Sequence, residues 1–206
     1  PEAAHPALAA FRDLAVETGA WLHCGTLAVT QDDGRVANRT YVVDPDGAIR
    51  ARYDKLHMFD VDLPGGESYR ESEVFKPGDA AVAVDLPWGR LGLSICYDLR
   101  FPYLYRALAR AGCHVLTVPA AFTRQTGEAH WHTLLRARAI ETGCWVTAPA
   151  QTGTHVKDRK TYGHALIVDP WGAVVADAGT DAPTFITAEI DPARVAEARQ
   201  RIPALT

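Results

Sequence analysis

The sequence predicts an α/β fold in which two β-sheets pack face to face and helices cover their outer faces. Three observations carry that expectation. Strand-like segments outnumber helical ones, the helical segments fall between strands, and no linker or low-complexity run divides the 206 residues. A chain of this length suits a single domain, 1–206, with a sizeable core.

The elements follow in order. Residues 6–19, "PALAAFRDLAVETG", carry Leu8, Phe11, Leu14 and Ala15 at helical spacing, closed by Gly19. "AWLHCGTLAVT" reads as one buried strand. "RVANRTYVVDPDGAIRARYDK" reads as two strands joined at Asp44-Pro45-Asp46-Gly47, where proline presets φ and glycine permits φ > 0. A loop rich in Gly, Pro and charge is expected from Leu56 to Asp79. "AVAVDLPWGRLGLSIC" gives a hairpin turning near Pro87-Trp88-Gly89, and "FPYLYRALARAG" a helix with Pro102 in its first turn and Gly112 as its cap. "CHVLTVPAAF" is a buried strand and "EAHWHTLLRARAIETG" a helix ending at Gly143. "CWVTAPAQTG" is a strand, "YGHALIVDPWGAVVADAG" a hairpin, "PTFITAEID" a last strand and "PARVAEARQR" a last helix. Two segments, "YVVDPDGAIRARY" and "LIVDPWGAVVADA", share a strand, Asp-Pro-x-Gly turn, strand pattern, which fits internal duplication or convergent turn chemistry equally.

Composition excludes several function classes. Hydrophobic content of 48% and charged content of 22% are those of a soluble globular protein, and a net charge of −4 gives no basic surface for nucleic acid. No apolar run approaches the roughly 20 residues that cross a bilayer, so no membrane partner is expected. "PEAAHPALAAFRDL" has neither the basic nor the apolar region of a signal peptide. Cys24, Cys96, Cys113 and Cys144 are scattered without metal-ligand spacing and read as free thiols of a reducing, cytoplasmic compartment. No metal and no organic cofactor is expected.

Among these thiols Cys96 has a distinct setting, in "GLSICYDLRFPYLY", where an apolar strand opens into a charged turn before a helix. Backbone N–H groups and the positive end of a following helix favour a thiolate and can hold an oxyanion there. The alternative is an inert core thiol. Cys24, Cys113 and Cys144 lie in or beside strands or after a helix end and read as packing residues. A thiol nucleophile needs a base. Lys55, in "RARYDKLHMFD", stands at a strand end beside Asp54, and Glu71, in "GGESYRESEVFKPGD", stands in a charged loop; solvated charges would look the same. His130 and His132 sit two apart in "EAHWHTLL", where helical geometry makes them diverge, so no two-His metal site is expected from that pair. His57 and His164 lie near strand ends, with structural roles the simpler reading.

Taken together, "RYDKLHMFDVDLPG", "GLSICYDLRFPYL", "EAHWHTLLRARAIETGCWVTAPAQTG" and "GHALIVDPWG" resemble, in order, the signature blocks of the nitrilase superfamily, the carbon–nitrogen hydrolases, and most of all its Nit branch of omega-amidase-like and deaminated-glutathione-amidase-like members. The resemblance runs from about Leu8 to Pro203. It implies a four-layer α-β-β-α sandwich and a Glu–Lys–Cys triad with a second glutamate nearby. By motif Cys96 matches the nucleophile, Lys55 the lysine and Glu71 the second glutamate. The Tyr97 backbone N–H and Lys55 would form the oxyanion hole. Arg100 would hold a substrate carboxylate or make an internal ion pair, and His130 and Trp131 would line the pocket or simply pack.

Two departures stand out. The first triad glutamate lies upstream of the first helix in the family. Here Glu2 alone precedes that helix; its surroundings do not follow a strand, and it reads as a surface residue. The chain is therefore expected to lack the N-terminal strand, a helix and the catalytic base of the family, and a C-terminal extension. Tyr103 also stands where the family commonly has glutamate, with altered packing or pocket polarity as the implied effect. The function implied is hydrolysis of a small linear ω-amide, one carrying a carboxylate, to acid and ammonia through a thioester, by a homodimer or higher homo-oligomer. The alternatives are a carbamoyl-amine hydrolase, a nitrilase, or an inactive homologue that binds a partner.

Overall fold

The computed structural model describes residues 1–64, 66–181 and 183–205, and the elements and counts are those of the described residues. The chain forms two compact units, Pro1–Val82 and Ala83 onward, and each has its own sheet and helices.

In the first unit a 3-10 turn, Glu2–Ala4, leads into α1, Pro6–Thr18, which ends at Gly19 in the left-handed region (φ 64°) as the sequence predicts. The strands are β1 (Leu22–His23), β2 (Leu27–Thr30), β3 (Val36–Val43), β4 (Ile49–Asp54), β5 (Asp60–Asp62), β6 (Ser68–Arg70) and β7 (Phe75–Lys76). The eight-residue β3 is the axis of a five-stranded sheet: β1 and β2 pair along one edge, β4 and β7 along the other, with β7 parallel to it.

The single strand expected over "AWLHCGTLAVT" is interrupted. Leu22 pairs with Val43 and Leu27 with Arg39, so the segment carries one residue more than β3 between those pairs. Gly25 takes up the irregularity with φ 21° and bonds back to the His23 carbonyl. α1 covers this sheet with Leu8, Phe11 and Ala15, which pack on Cys24, Val29, Tyr41 and Val43. Leu14, expected on the apolar face, is instead exposed, because the buried stripe follows positions 8, 11 and 15 and places 14 a quarter-turn away. The loop expected over Leu56–Asp79 contains structure: β5 and β6 form an antiparallel ribbon, residues Glu71–Glu73 make a 3-10 turn, and β7 joins the sheet.

In the second unit the strands are β8 (Ala83–Leu86), β9 (Gly89–Leu93), β10 (Val115–Thr117), β11 (Trp145–Ala148), β12 (Thr152–Thr154), β13 (Lys160–Tyr162), β14 (Leu166–Val168) and β15 (Val174–Asp177), and the helices are α2 (Pro102–Arg110), α3 (Arg124–Thr142) and α4 (Ala193–Arg201). The six-stranded sheet has the order β15-β14-β11-β10-β9-β8. Its centre, β9, β10 and β11, is parallel, because α2 and α3 return the chain to the same end of the sheet. The flanking strands join antiparallel through hairpins. β12 and β13 pair as a separate ribbon. Residues 183–191 form no strand: Phe185 is exposed and no neighbour supplies a ladder. α2 is capped by Ala111, one residue before the predicted Gly112, which follows with φ 88°.

The two Asp-Pro-x-Gly hairpins are alike beyond their sequence. Asp44 Oδ1 accepts the N–H groups of Asp46 and Ala48, and Asp169 Oδ1 those of Trp171 and Ala173. Gly47 (φ 75°) and Gly172 (φ 86°) each give their carbonyl to an arginine Nε of a helix, Arg12 of α1 at 2.7 Å and Arg136 of α3 at 2.8 Å. A Cβ at Gly172 would meet Ile140 at 2.5 Å, so the close helix approach requires glycine there.

Candidate active site

The residues singled out in the sequence fall into two groups, one in each unit. In the second unit β9 ends at Leu93, and Ser94 and Ile95 lead into a 3-10 turn, Cys96–Arg100, before α2. Cys96 has φ 49°, a left-handed backbone that a residue with a Cβ adopts only when its surroundings impose it. Those surroundings are visible. The Cys96 N–H donates to the Pro119 carbonyl (3.0 Å). The buried Asp98 carboxylate accepts the Ile95 N–H at 2.8 Å. Arg138, almost fully buried on α3, donates through Nε and Nη2 to the Leu99 carbonyl (3.0 and 2.8 Å). Ser94 Oγ lies 2.6 Å from both the Tyr105 hydroxyl and the Thr117 carbonyl. A strained strand-to-helix turn is thus pinned from four sides.

Cys96 is partly exposed, whereas the other three thiols are buried. Burial pushes Cys24 up to about 11 and Cys113 to about 12, and raises Cys144 as well. These three are protonated and inert at neutral pH. Tyr97, whose N–H the family resemblance implies for an oxyanion hole, occupies the second position of the same 3-10 turn.

The Arg100 guanidinium lies over the Phe122 ring (5.2 Å) and the Tyr97 ring (5.9 Å), and its Nη1 is 3.3 Å from His130 Nδ1. Burial lowers its pKa, opposed by Tyr97 and Cys96. Among the described residues no carboxylate forms an ion pair with it. Trp131 is fully buried; it packs on Phe122 and donates its indole N–H to the His164 carbonyl (2.8 Å). Its place is that of a core residue, and of the two expectations for it the packing one fits. Tyr103 is exposed on α2, with its ring at 5.9 Å from Phe101.

In the first unit Lys55 follows β4 on the same face as Ala51 and Tyr53, all three buried. Its ammonium pairs with the Glu71 carboxylate. Glu71 Oε2 also accepts the Phe59 N–H (2.6 Å), and Oε1 the Asn38 side-chain amide (3.3 Å). The Lys55 N–H bonds the Asn38 carbonyl, and its own carbonyl accepts from Gly78. A Cβ on Gly78 would come within 2.4 Å of the Asp54 carbonyl oxygen, so glycine is required for that crossing. Asp54 faces away from Lys55 and takes Arg39 bidentately at 2.6 and 2.8 Å.

Glu2, expected at the surface, is partly exposed there and engaged by its neighbours. Its carboxylate accepts from Arg39 (2.9 Å), Arg52 (2.9 and 3.0 Å) and the Tyr41 hydroxyl (3.1 Å). Partial burial works to raise its pKa, but the Arg52 and Arg39 bonds outweigh it and the net shift is downward. The 3-10 turn before α1 folds Glu2 back over β3 and β4, a non-local contact that no local pattern signals.

The left-handed Cys96 and the Arg138 and Asp98 supports escaped sequence reading. Asp98 had one available signal, its place three residues after Ile95, the spacing at which a carboxylate reaches back to a turn's first N–H.

Known proteins place these groups in context. The carbon–nitrogen hydrolase family matches residues 1–200. A deaminated glutathione amidase of Synechocystis is 50% identical over 179 residues, covering 86% of this chain and 65% of that protein. A deaminated glutathione amidase of Mus musculus is 43% identical over 201 residues, covering 95% and 62%. The chain therefore spans a little under two thirds of the length of these relatives. Among solved structures, the Caenorhabditis elegans NitFhit protein superposes with a TM-score of 0.88 at 44% identity, covering 98% of this chain and 49% of that one. Saccharomyces cerevisiae Nit3, of branch 10 of the nitrilase superfamily, gives 0.86 at 31% identity, covering 96% and 69%. On the match across nearly its whole length, this chain belongs to the carbon–nitrogen hydrolase family.

Proposed function

We propose that this chain carries the nucleophile of a cysteine-dependent amidase that cleaves a small linear ω-amide to a carboxylic acid and ammonia. The observation that carries the reading is the turn at Cys96: a partly exposed thiol held at φ 49° at the end of a parallel strand, while every other thiol is buried. The relatives named deaminated glutathione amidase, at 41–50% identity in Synechocystis and Yersinia enterocolitica, support an amide as the substrate class.

In the proposed reaction the Cys96 thiolate attacks the amide carbonyl, a C–S bond forms, and the carbonyl oxygen becomes an oxyanion. The roles given to Lys55 and the Tyr97 N–H are to stabilise that oxyanion. The C–N bond then breaks with a proton passed to nitrogen, and ammonia leaves. Water attacks the thioester, the C–S bond breaks, and the acid departs with Cys96 restored. Glu71 is assigned to hold the Lys55 ammonium, which its carboxylate already contacts. Arg100 is assigned to a substrate carboxylate. It is a half-buried cation on two aromatic faces with a histidine as its polar neighbour, and it has no carboxylate partner among the described residues. His130, bonded to Arg100, would line the same subsite. A cytoplasmic homodimer or higher homo-oligomer belongs to the same reading.

A second reading is an inactive homologue that binds a partner. The test is Cys96→Ala in the full-length protein, with ammonia release from a panel of ω-amides, carbamoyl amines and nitriles as the readout. Abolished release with an unchanged circular dichroism spectrum is expected. Near-normal turnover would overturn the mechanism, and a wild-type protein inactive on the whole panel would favour the second reading.

A further inference from the structure

Three side chains remote from one another in sequence converge beside α3 in the second unit. His132 comes from the middle of α3, His164 from the approach to β14, and Asp177 from the end of β15. His132 Nε2 lies 3.1 Å from Asp177 Oδ2, and His164 Nδ1 lies 3.0 and 3.1 Å from the two Asp177 oxygens. One ligand atom from each residue falls within 4.8 Å of the other two. The two imidazoles do not stack on each other; their ring centres are 5.0 Å apart at 69°, so both aim a nitrogen at one carboxylate.

The scaffold holds this arrangement rigidly. His164 has φ 53°, one of three non-glycine residues in the left-handed region among those described. Its N–H donates to the Gly179 carbonyl (2.7 Å), its carbonyl accepts the Trp131 indole (2.8 Å), and its ring stacks on Tyr162 (4.5 Å, 26°). Asp177 Oδ1 accepts the Gly179 N–H (2.8 Å). A left-handed backbone is strained at a residue with a bulky side chain, and glycine or asparagine would avoid most of that strain. What the histidine gains from that conformation is an imidazole nitrogen directed at Asp177. The three side chains are each between 23 and 34% exposed, so an ion and its water can reach them.

We infer that His132, His164 and Asp177 form a binding site for a divalent transition-metal ion of the zinc type. Two imidazole nitrogens and one carboxylate oxygen are a borderline-soft donor set that suits Zn²⁺ or Co²⁺ and disfavours Mg²⁺ and Ca²⁺, which take oxygen. Bonds of about 2.0–2.2 Å in a tetrahedron separate ligand atoms by roughly 3.4 Å, so the His–Asp pairs need to open by only a few tenths of an ångström. A water completes the tetrahedron. On binding, the N–H protons that bridge to Asp177 move to the opposite nitrogens, Nδ1 of His132 and Nε2 of His164, and the freed lone pairs take the metal. The helix pair His130 and His132 cannot make such a site, as its spacing implies; the second histidine is supplied by the β14–β15 hairpin instead. None of the three residues belongs to the proposed catalytic set.

The experiment is calorimetric titration of the metal-free full-length protein with Zn²⁺, and with Co²⁺ followed by its visible d–d absorption. His132→Gln, His164→Asn and Asp177→Asn are the variants, and His130→Ala is the control. Asparagine tolerates the left-handed position and Asp177→Asn keeps an acceptor for Gly179, so each variant is checked for an unchanged circular dichroism spectrum. Saturable binding of one equivalent, a four-coordinate Co²⁺ spectrum, and affinity lowered at least about tenfold in each folded variant but not in the control are expected. No saturable binding, or binding that survives any one of the three substitutions in a folded variant, would overturn the site.

Discussion

Removing Glu71 and Lys55 together should destabilise the protein far less than the sum of removing each alone. Lys55 is 3% exposed at its side chain and Glu71 15%, so neither charge can turn to water when its partner goes. Glu71→Leu leaves a buried ammonium facing apolar carbon and orphans the Phe59 N–H and the Asn38 amide that Glu71 accepts. Breaking a buried ion pair from one side costs about 3–5 kcal/mol, and the lost acceptors place this variant at the upper end. Lys55→Met leaves the carboxylate buried but still bonded to Phe59 and Asn38, which places it near the lower end, about 3 kcal/mol. With both changed no charge is left behind, so the double variant should lose far less than the two single losses combined, with a coupling of at least about 2 kcal/mol. Urea unfolding followed by circular dichroism gives each value. Additivity within about 0.5 kcal/mol would refute the buried pair as an interacting unit. It would also remove the basis for assigning Glu71 to hold Lys55.

Other outcomes follow from single observations. Burial holds the His23 pKa down to about 4, against about 6.5 when unfolded, so the unfolded chain binds more protons between those values. Stability is then full above pH 6.5 and falls by about 3 kcal/mol as pH drops to 4; His23→Gln should flatten that part of a urea-midpoint profile, and an unchanged slope would refute it. Iodoacetamide should label Cys96 well before Cys24, Cys113 or Cys144, whose burial holds them protonated, and equal labelling of all four by peptide mass mapping would contradict an accessible reactive thiol. Gly127→Ala would drive a Cβ to 2.3 Å from Tyr162 Cβ, an overpacking worth about 1–3 kcal/mol in thermal or urea denaturation. A change within 0.5 kcal/mol would show that the β13 ribbon yields easily. Asp98→Ala strips the Ile95 N–H of its acceptor in the buried turn and should cost about 1–3 kcal/mol while also slowing alkylation of Cys96; stability loss with unaltered alkylation would separate the cap from the thiol's presentation.

Local chemistry explains what could be read in advance. α1, α3 and their left-handed glycine ends, Gly19 and Gly143, follow from apolar spacing and from the one residue that adopts φ > 0 freely. Both Asp-Pro-x-Gly hairpins stand where turn chemistry puts them, since proline, aspartate and glycine each act within five residues. The strand expected at residues 183–191 fails because apolar alternation alone does not supply a neighbouring edge. The break at Cys24–Thr26 needed knowledge of the register on β3, and Glu2 needed the fold that carries Arg39 and Arg52 to it. At the site, Cys96 was legible from its place between an apolar strand and a charged turn, and Lys55 and Glu71 from the resemblance of their blocks. The backbone strain at Cys96 and the Arg138 grip on Leu99 were not, because both involve contacts remote in sequence, Cys96 with Pro119 and Arg138 with Leu99.

The most direct measurement is acid quenching of the full-length protein during turnover of an ω-amide, followed by peptide mass mapping of the acylated residue. The expected result is a covalent adduct of substrate mass less ammonia on the peptide that holds Cys96, absent from Cys96→Ala. Sustained ammonia release with Cys96 unmodified at every quench time, or an adduct on another residue, would contradict a Cys96 thioester.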